Sequence, residues 1–163
     1  MTISVATKEQ LTIVKELAYT IWPDAYSEIL SVAQLEYMLE NFYAISSLEA
    51  QFEAGHVFLL AEEKGDYLGF AAFELNCKTT TKTKLHKLYV LPATQGTGLG
   101  KMFLEEVENS ARQANNTHLF LNVNKYNKAQ RFYEKQNFEI ILDEVIPIGN
   151  DYIMDDYVME KKL

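Results

Sequence analysis

Between Gln95 and Lys101 the chain reads QGTGLGK, with Gly96, Gly98 and Gly100 at alternate positions. Glycine in a helix interior costs about 1 kcal/mol relative to alanine, so this clustering implies a need for bare backbone. Backbone N–H groups with no side chains in front of them suit phosphate oxygens. The match is best where a helix begins and its unpaired donors and dipole point outward. Two common phosphate cradles do not fit. A P-loop needs Gly-Lys followed by Ser or Thr and another glycine five residues earlier, but here Met102 follows Lys101 and Gln95 holds the earlier place. A dinucleotide fingerprint needs Gly-x-Gly-x-x-Gly, and Lys101 stands last. What is left is Gln95-x-x-Gly98-x-Gly100, for which a pyrophosphate cradle and a plain flexible turn are both open readings.

The flanking elements decide how much that loop means. Upstream, TKLHKLYVL reads as a strand closed by Pro92, which cannot donate to a sheet ladder; downstream, GKMFLEEVENSARQAN reads as a helix. Earlier in the chain TISVAT is a short strand. Leu11, Val14, Leu17, Ala18 and Ile21 repeat at helical spacing, predicting a helix that stops before Pro23. Ser31 offers an N-cap for a second helix, and SLEAQFEAG a short third one ending at Gly55. HVFLLAEE and YLGFAAFELN flank KGD as a hairpin. HLFLNVN is a strand, NKAQRFYEKQN a helix, and FEIILDEVIPI and DYIMDDYVMEKKL are closing strands. The expected architecture is one α/β domain over 1–163, a mixed sheet flanked by helices.

The 163 residues suffice for one substantial core, with 48% hydrophobic and 23% charged residues. No apolar run is long enough for a membrane span, and MTISVATKEQ has no secretory pattern, so a cytoplasmic protein without membrane partners is expected. Cys77 is the single cysteine; it excludes an internal disulfide and is expected to pack in a strand. A net charge of −8 repels nucleic acid and attracts polycations. No metal site is expected.

LYVLPATQGTGLGKMFL resembles the acetyl-CoA-binding motif of the GNAT acetyltransferases, Gln/Arg-x-x-Gly-x-Gly/Ala. LNVNKYNKAQRFYEKQNF resembles the family's next motif, which ends Ala-x-x-Phe/Leu-Tyr-Glu-x-x-Gly-Phe. The two occur in order, in strand–helix–strand–helix context, and cover Leu85 to about Phe138. Asn137 replaces the glycine before Phe138, and asparagine is the next-best residue at a left-handed helix end. The resemblance implies the GNAT fold, with a mostly antiparallel sheet whose fourth strand splays from the fifth. It implies acetyl-CoA as co-substrate, held by Gln95, Gly96, Thr97, Gly98, Leu99, Gly100 and Lys101 and by backbone groups of Leu88, Tyr89 and Val90. The family's cofactor-contacting asparagine often stands seven residues before the tyrosine, where this chain has Tyr126. Asn127 and Asn124 compete for the role, with Asn127 the first choice.

By the same resemblance Tyr133 is the general acid that protonates the departing thiolate; an ordinary core tyrosine is the alternative. His86 stands at or near the place where many relatives carry a glutamate base, and an imidazole could do that work. Strict strand alternation puts His86 on the face opposite Lys87 and Tyr89; a packed or surface histidine is the alternative. The acceptor is expected to be a primary amine, read as a small cationic amine or polyamine from the aromatic and acidic residues of IWPDAYSEIL and IPIGNDYIMDDY. Trp22, Tyr26, Glu28, Tyr152 and Asp155 are the candidate lining. A protein N-terminal or lysine acetyltransferase and a non-catalytic CoA-binding module are the alternatives. A homodimer is compatible with either.

Overall fold

The computed structural model describes residues 1–163. The elements are β1 (Thr2–Val5), α1 (Leu11–Tyr26), α2 (Val32–Phe42), α3 (Ile45–Glu53), β2 (Val57–Glu63), β3 (Asp66–Glu74), β4 (Lys82–Val90), α4 (Leu99–Gln113), β5 (His118–Asn124), α5 (Ala129–Lys135), β6 (Glu139–Gly149) and β7 (Tyr152–Lys162). They build one seven-stranded sheet in the order β1-β2-β3-β4-β5-β7-β6. The β4–β5 pair is parallel, because α4 crosses between them, and every other pair is antiparallel.

Both faces of the sheet are covered. On one, α1, α2 and α3 pack Leu11, Val14, Trp22 and Leu48 onto Phe58, Leu60, Phe70 and Ala72. On the other, α4 and α5 pack Phe103, Leu104, Val107 and Tyr133 onto Leu59, Ala61, Ala71, Phe73 and Leu121. A strand buried on both faces has no polar side, which is why VFLLA and GFAAF read as unbroken apolar runs.

Three local features differ from or extend the sequence expectation. Helix α1 runs through Pro23 for another turn, and Ser27 N–H still donates to the Pro23 carbonyl (3.1 Å). Proline removes a donor and crowds the carbonyl four residues back, but here both Pro23 and Tyr19 face solvent, where water can serve that carbonyl. The inner face of the same turn is anchored by Trp22 and Tyr26. Cys77 is buried in the turn that follows β3 rather than in a strand. Asn137 takes φ 70°, the left-handed end of α5 that its replacement of glycine predicted.

Ser31 caps α2 as expected, accepting the Gln34 N–H at 3.1 Å. Loss of such a cap costs about 1 kcal/mol. Ser31→Ala should therefore lower the thermal midpoint by about 2–4 °C for a chain this long, as read by calorimetry, with coenzyme A affinity unchanged.

Candidate active site

Parallel pairing between β4 and β5 stops early. Lys82–Leu85 pair with His118–Leu121, and beyond that point the two strands share no ladder. β3 keeps hold of β4 through Leu88, Tyr89 and Val90, while β7 keeps hold of β5 as far as Asn124. The sheet therefore opens as a V, and the backbone groups of Leu88–Val90 that face β5 are unpaired.

A β-bulge accompanies this opening. Ala72 pairs with Lys87 and Phe73 with Leu85, which leaves His86 as the extra residue of β4. A bulge breaks side-chain alternation. His86 consequently lines the same cavity as Lys87 and Tyr89, not the opposite face that unbroken alternation predicts.

The glycine loop lies between β4 and α4. Gly96 and Gly98 adopt φ of 81° and 87°, a region that disfavours any side chain, and a Cβ at either would meet nothing within 4 Å. Gly100 is glycine for another reason: a Cβ there would approach Phe132 Cζ to 3.3 Å, so it lets α4 pack on α5. Gly98 caps α4, and the N–H groups of Leu99, Gly100 and Lys101 precede the first helical bond, from Met102 to Gly98. The donors thus face open space. Gln95, Thr97 and Lys101 are exposed beside them, while the Leu99 side chain is core, so only its N–H is available there.

Tyr133 is buried between Phe132 and Phe138, with ring centroids at 5.2 and 5.6 Å. Burial, followed by the nearby Tyr26 hydroxyl, raises its phenol well above the usual value, so it is a protonated donor at neutral pH. Tyr26 and Tyr89 bond through their hydroxyls at 2.9 Å. Asn127 Oδ1 accepts the Ala129 N–H at the start of α5, and its side chain lies near the Tyr26 hydroxyl. Asn124 Oδ1 accepts from Tyr126 N–H, and the residue lines the cavity.

That cavity, of about 250 Å³, occupies the α1–α2 side of the V. Trp22, Tyr26 and Tyr89 form an aromatic wall, with Asn122, Asn124 and Asp156 opposite them on β5 and β7. Glu28, Tyr152 and Asp155, three of the expected lining residues, are not brought to it. Glu28 is exposed beyond the end of α1, Tyr152 packs at a tilt on Tyr37 with ring centroids 5.2 Å apart, and Asp155 points away and pairs with Lys125 at 3.0 Å. The carboxylate that does line the cavity is Asp156, the next residue on β7, where alternation turns its side chain inward. Alternation against buried Val158 is the sequence signal that could have separated the two aspartates. Burial raises Asp156 to about 6, and its Oδ1 has no hydrogen-bond partner.

Two ammonium groups also line the cavity. Lys87 reaches Gln51 Oε1 at 2.9 Å and lies over the Tyr43 ring at 5.4 Å, with Lys84 beside it on the same strand. Burial first, then Lys84, lowers Lys87 to about 8, so it is still mostly charged at pH 7. His86 Nε2 donates to Glu74 Oε1 at 3.0 Å, and burial lowers it to about 4 despite that partner, leaving a neutral imidazole with Nδ1 free.

His56, Glu74 and His86 bring three donor atoms within 4.8 Å of one another. The two imidazoles, however, stack at 4.1 Å with only 14° between their planes. A metal bonds along in-plane nitrogen lone pairs, and nearly parallel stacked rings cannot aim both at one ion. The arrangement is a carboxylate holding a histidine pair.

Comparison with known proteins fits this geometry. Residues 23–153 match the model of the acetyltransferase (GNAT) domain. The chain belongs to the GNAT acetyltransferases. It is 33% identical over 106 residues to uncharacterized N-acetyltransferases of Mycobacterium bovis and Mycobacterium tuberculosis, a match spanning 64% of this chain and 66% of theirs. Its fold is similar to that of a PaiA N-acetyltransferase from Thermoplasma acidophilum in complex with coenzyme A, with TM-score 0.82, 24% identity and complete coverage of both chains. It is also similar to a ribosomal-protein-alanine N-acetyltransferase from Brucella melitensis, with TM-score 0.68, 22% identity and complete coverage of both. In this GNAT domain the glycine loop joins β4 to α4, and Tyr133 lies on α5. No helix is long and apolar enough to cross a membrane.

Gly98→Ala should weaken coenzyme A binding at least tenfold in a calorimetric titration. Gly65→Ala, at a similar φ of 84° in a hairpin outside the site, carries the same backbone strain and should leave affinity unchanged. Asp156 gives a pH signature. Its folded pKa of about 6 exceeds the ordinary carboxylate value near 4, so the stability it contributes is present in acid and lost as pH rises through 6. Asp156→Asn should raise the thermal midpoint at pH 7.5 and change it little at pH 4.

Proposed function

We propose that the protein transfers the acetyl group of acetyl-CoA directly to a primary amine of a small molecule in a ternary complex. The observation carrying this reading is the V between β4 and β5, which has phosphate-suited donors at one end and opens into a cavity of about 250 Å³. In the reaction the amine nitrogen attacks the thioester carbon and a tetrahedral intermediate forms. A β4 backbone N–H in the V supports its oxyanion, an interaction of about 2.7–4 kcal/mol in comparable sites. The C–S bond then breaks, the thiolate takes the Tyr133 proton, and the second proton shed by the acylated nitrogen restores the phenol. The proton lost by the ammonium passes to Asp156 before attack, since that carboxyl is ionised at neutral pH yet more basic than usual. His86, held by Glu74 with Nδ1 open, is the second proton acceptor in reach of the cavity. Gln95 through Lys101 hold the pyrophosphate, and Asn127 or Asn124 contacts the cofactor arm.

A small acceptor is favoured over a peptide because the β6–β7 end closes down on α2. Tyr37 donates to the Ile148 carbonyl at 2.8 Å and Gln34 to the Ile153 carbonyl at 2.9 Å. A non-catalytic module has no use for an open acceptor cavity. The aromatic wall and Asp156 support a cationic amine. A polyamine is less well served, because its further charges would meet Lys84 and Lys87.

Tyr133→Phe preserves ring packing and removes the proton donor. Turnover should fall on the order of 10²–10⁴ in a thiol-release assay while calorimetric coenzyme A affinity is retained. Full turnover under chemistry-limited conditions would make Tyr133 a core residue only.

A further inference from the structure

The acceptor cavity carries unmatched groups of both signs. At its β7 side Asp156 is buried, and its Oδ1 has no partner. At its β4 side Lys87 has no carboxylate near its ammonium, only Gln51 and the face of Tyr43, and Lys84 adds a second positive charge. The indole N–H of Trp22, buried in the aromatic wall, also donates to nothing. Buried polar groups ordinarily find partners, and a half-buried ammonium such as Lys87 ordinarily finds a counterion. The groups left over are an acceptor at one end and donors at the other.

We propose that the acceptor is an amino carboxylate: its ammonium is received by Asp156 and its carboxylate by Lys87, with Lys84 and the Trp22 N–H beside it. This rests on the small-amine acetyltransferase reading above and names the substrate class. A carboxylate suits the site better than a phosphate, because its cations are lysine point charges among aromatic walls, with no arginine fork to embrace several oxygens. A diamine would satisfy Asp156 and place its second ammonium against Lys87. An uncharged tail would cover Lys87 without giving it a counterion. The reaction balances as for any acetyl transfer: the N–C bond forms, the C–S bond breaks, and of the two protons the ammonium loses, one leaves through Asp156 and the other ends, by way of Tyr133, on the coenzyme A thiol.

The test compares matched pairs in the thiol-release assay. One set is ω-amino carboxylates with two to six carbons between the groups, together with the common α-amino acids. The other is the same amines without the carboxylate, plus putrescine and spermidine. Trp22 is the single tryptophan and lines the cavity, so its fluorescence reads binding of the same compounds to the coenzyme A complex. The expected result is a kcat/KM at least tenfold higher for the best amino carboxylate than for its decarboxylated partner. Lys87→Met should collapse that ratio toward one, and Lys84→Gln should reduce it, with coenzyme A binding reporting that each variant is folded. Preference for putrescine or the bare amines in the wild type, or a ratio that Lys87→Met does not change, overturns the proposal while leaving the acetyltransferase reading intact. Acetylation of peptide amino termini with no release from any small amine overturns both.

Discussion

Everything the site does depends on two adjacent parallel strands letting go of each other. The β4–β5 ladder ends at Leu85 and Leu121 although both strands continue. Unpaired backbone groups in a protein interior cost about 1–3 kcal/mol each, so the parting needs support from elsewhere. β3 fixes one arm, β7 fixes the other, and helices bury both faces of the sheet around the opening. The bulge at His86 belongs to the same device, since a bulge increases local twist and bends the strand that carries it. The parting leaves β4 backbone groups free, the glycine loop lies at the end of β4, and the cavity forms where the arms diverge.

Much of this was legible because it is carried by local chemistry. The alternate glycines, the strand before them and the helix after them mark a strand–loop–helix junction without any tertiary information. Two of those glycines turn out to need left-handed backbone and the third a close helix contact. The left-handed backbone at Asn137 was legible through its motif. The doubly buried strands announced themselves as continuous apolar runs.

What was not legible depends on register. Alternation along HKLYV gives the wrong face for His86, because a bulge has no mark in sequence and shifts every side chain before it relative to those after it. Asp155 and Asp156 are chemically identical neighbours, and only the β5–β7–β6 register sends one to Lys125 and the other into the cavity. Pro23 misled for a similar reason: its cost depends on whether the abandoned carbonyl faces water, which local sequence does not state.

Charge shows the same division between what a sum reveals and what position decides. The net charge of −8 describes the far field, which draws cations toward the molecule as a whole. Exposed carboxylates more than a Debye length of about 8 Å away contribute little to a group inside the cavity. Two unit charges 4 Å apart near a protein surface interact by about 4 kcal/mol. Lys84, Lys87 and Asp156 therefore outweigh the exterior where selection happens, although they are a small part of the total. An acidic exterior acts alike on every cation that approaches, and only the charges fixed inside the cavity can distinguish one end of a bound molecule from the other.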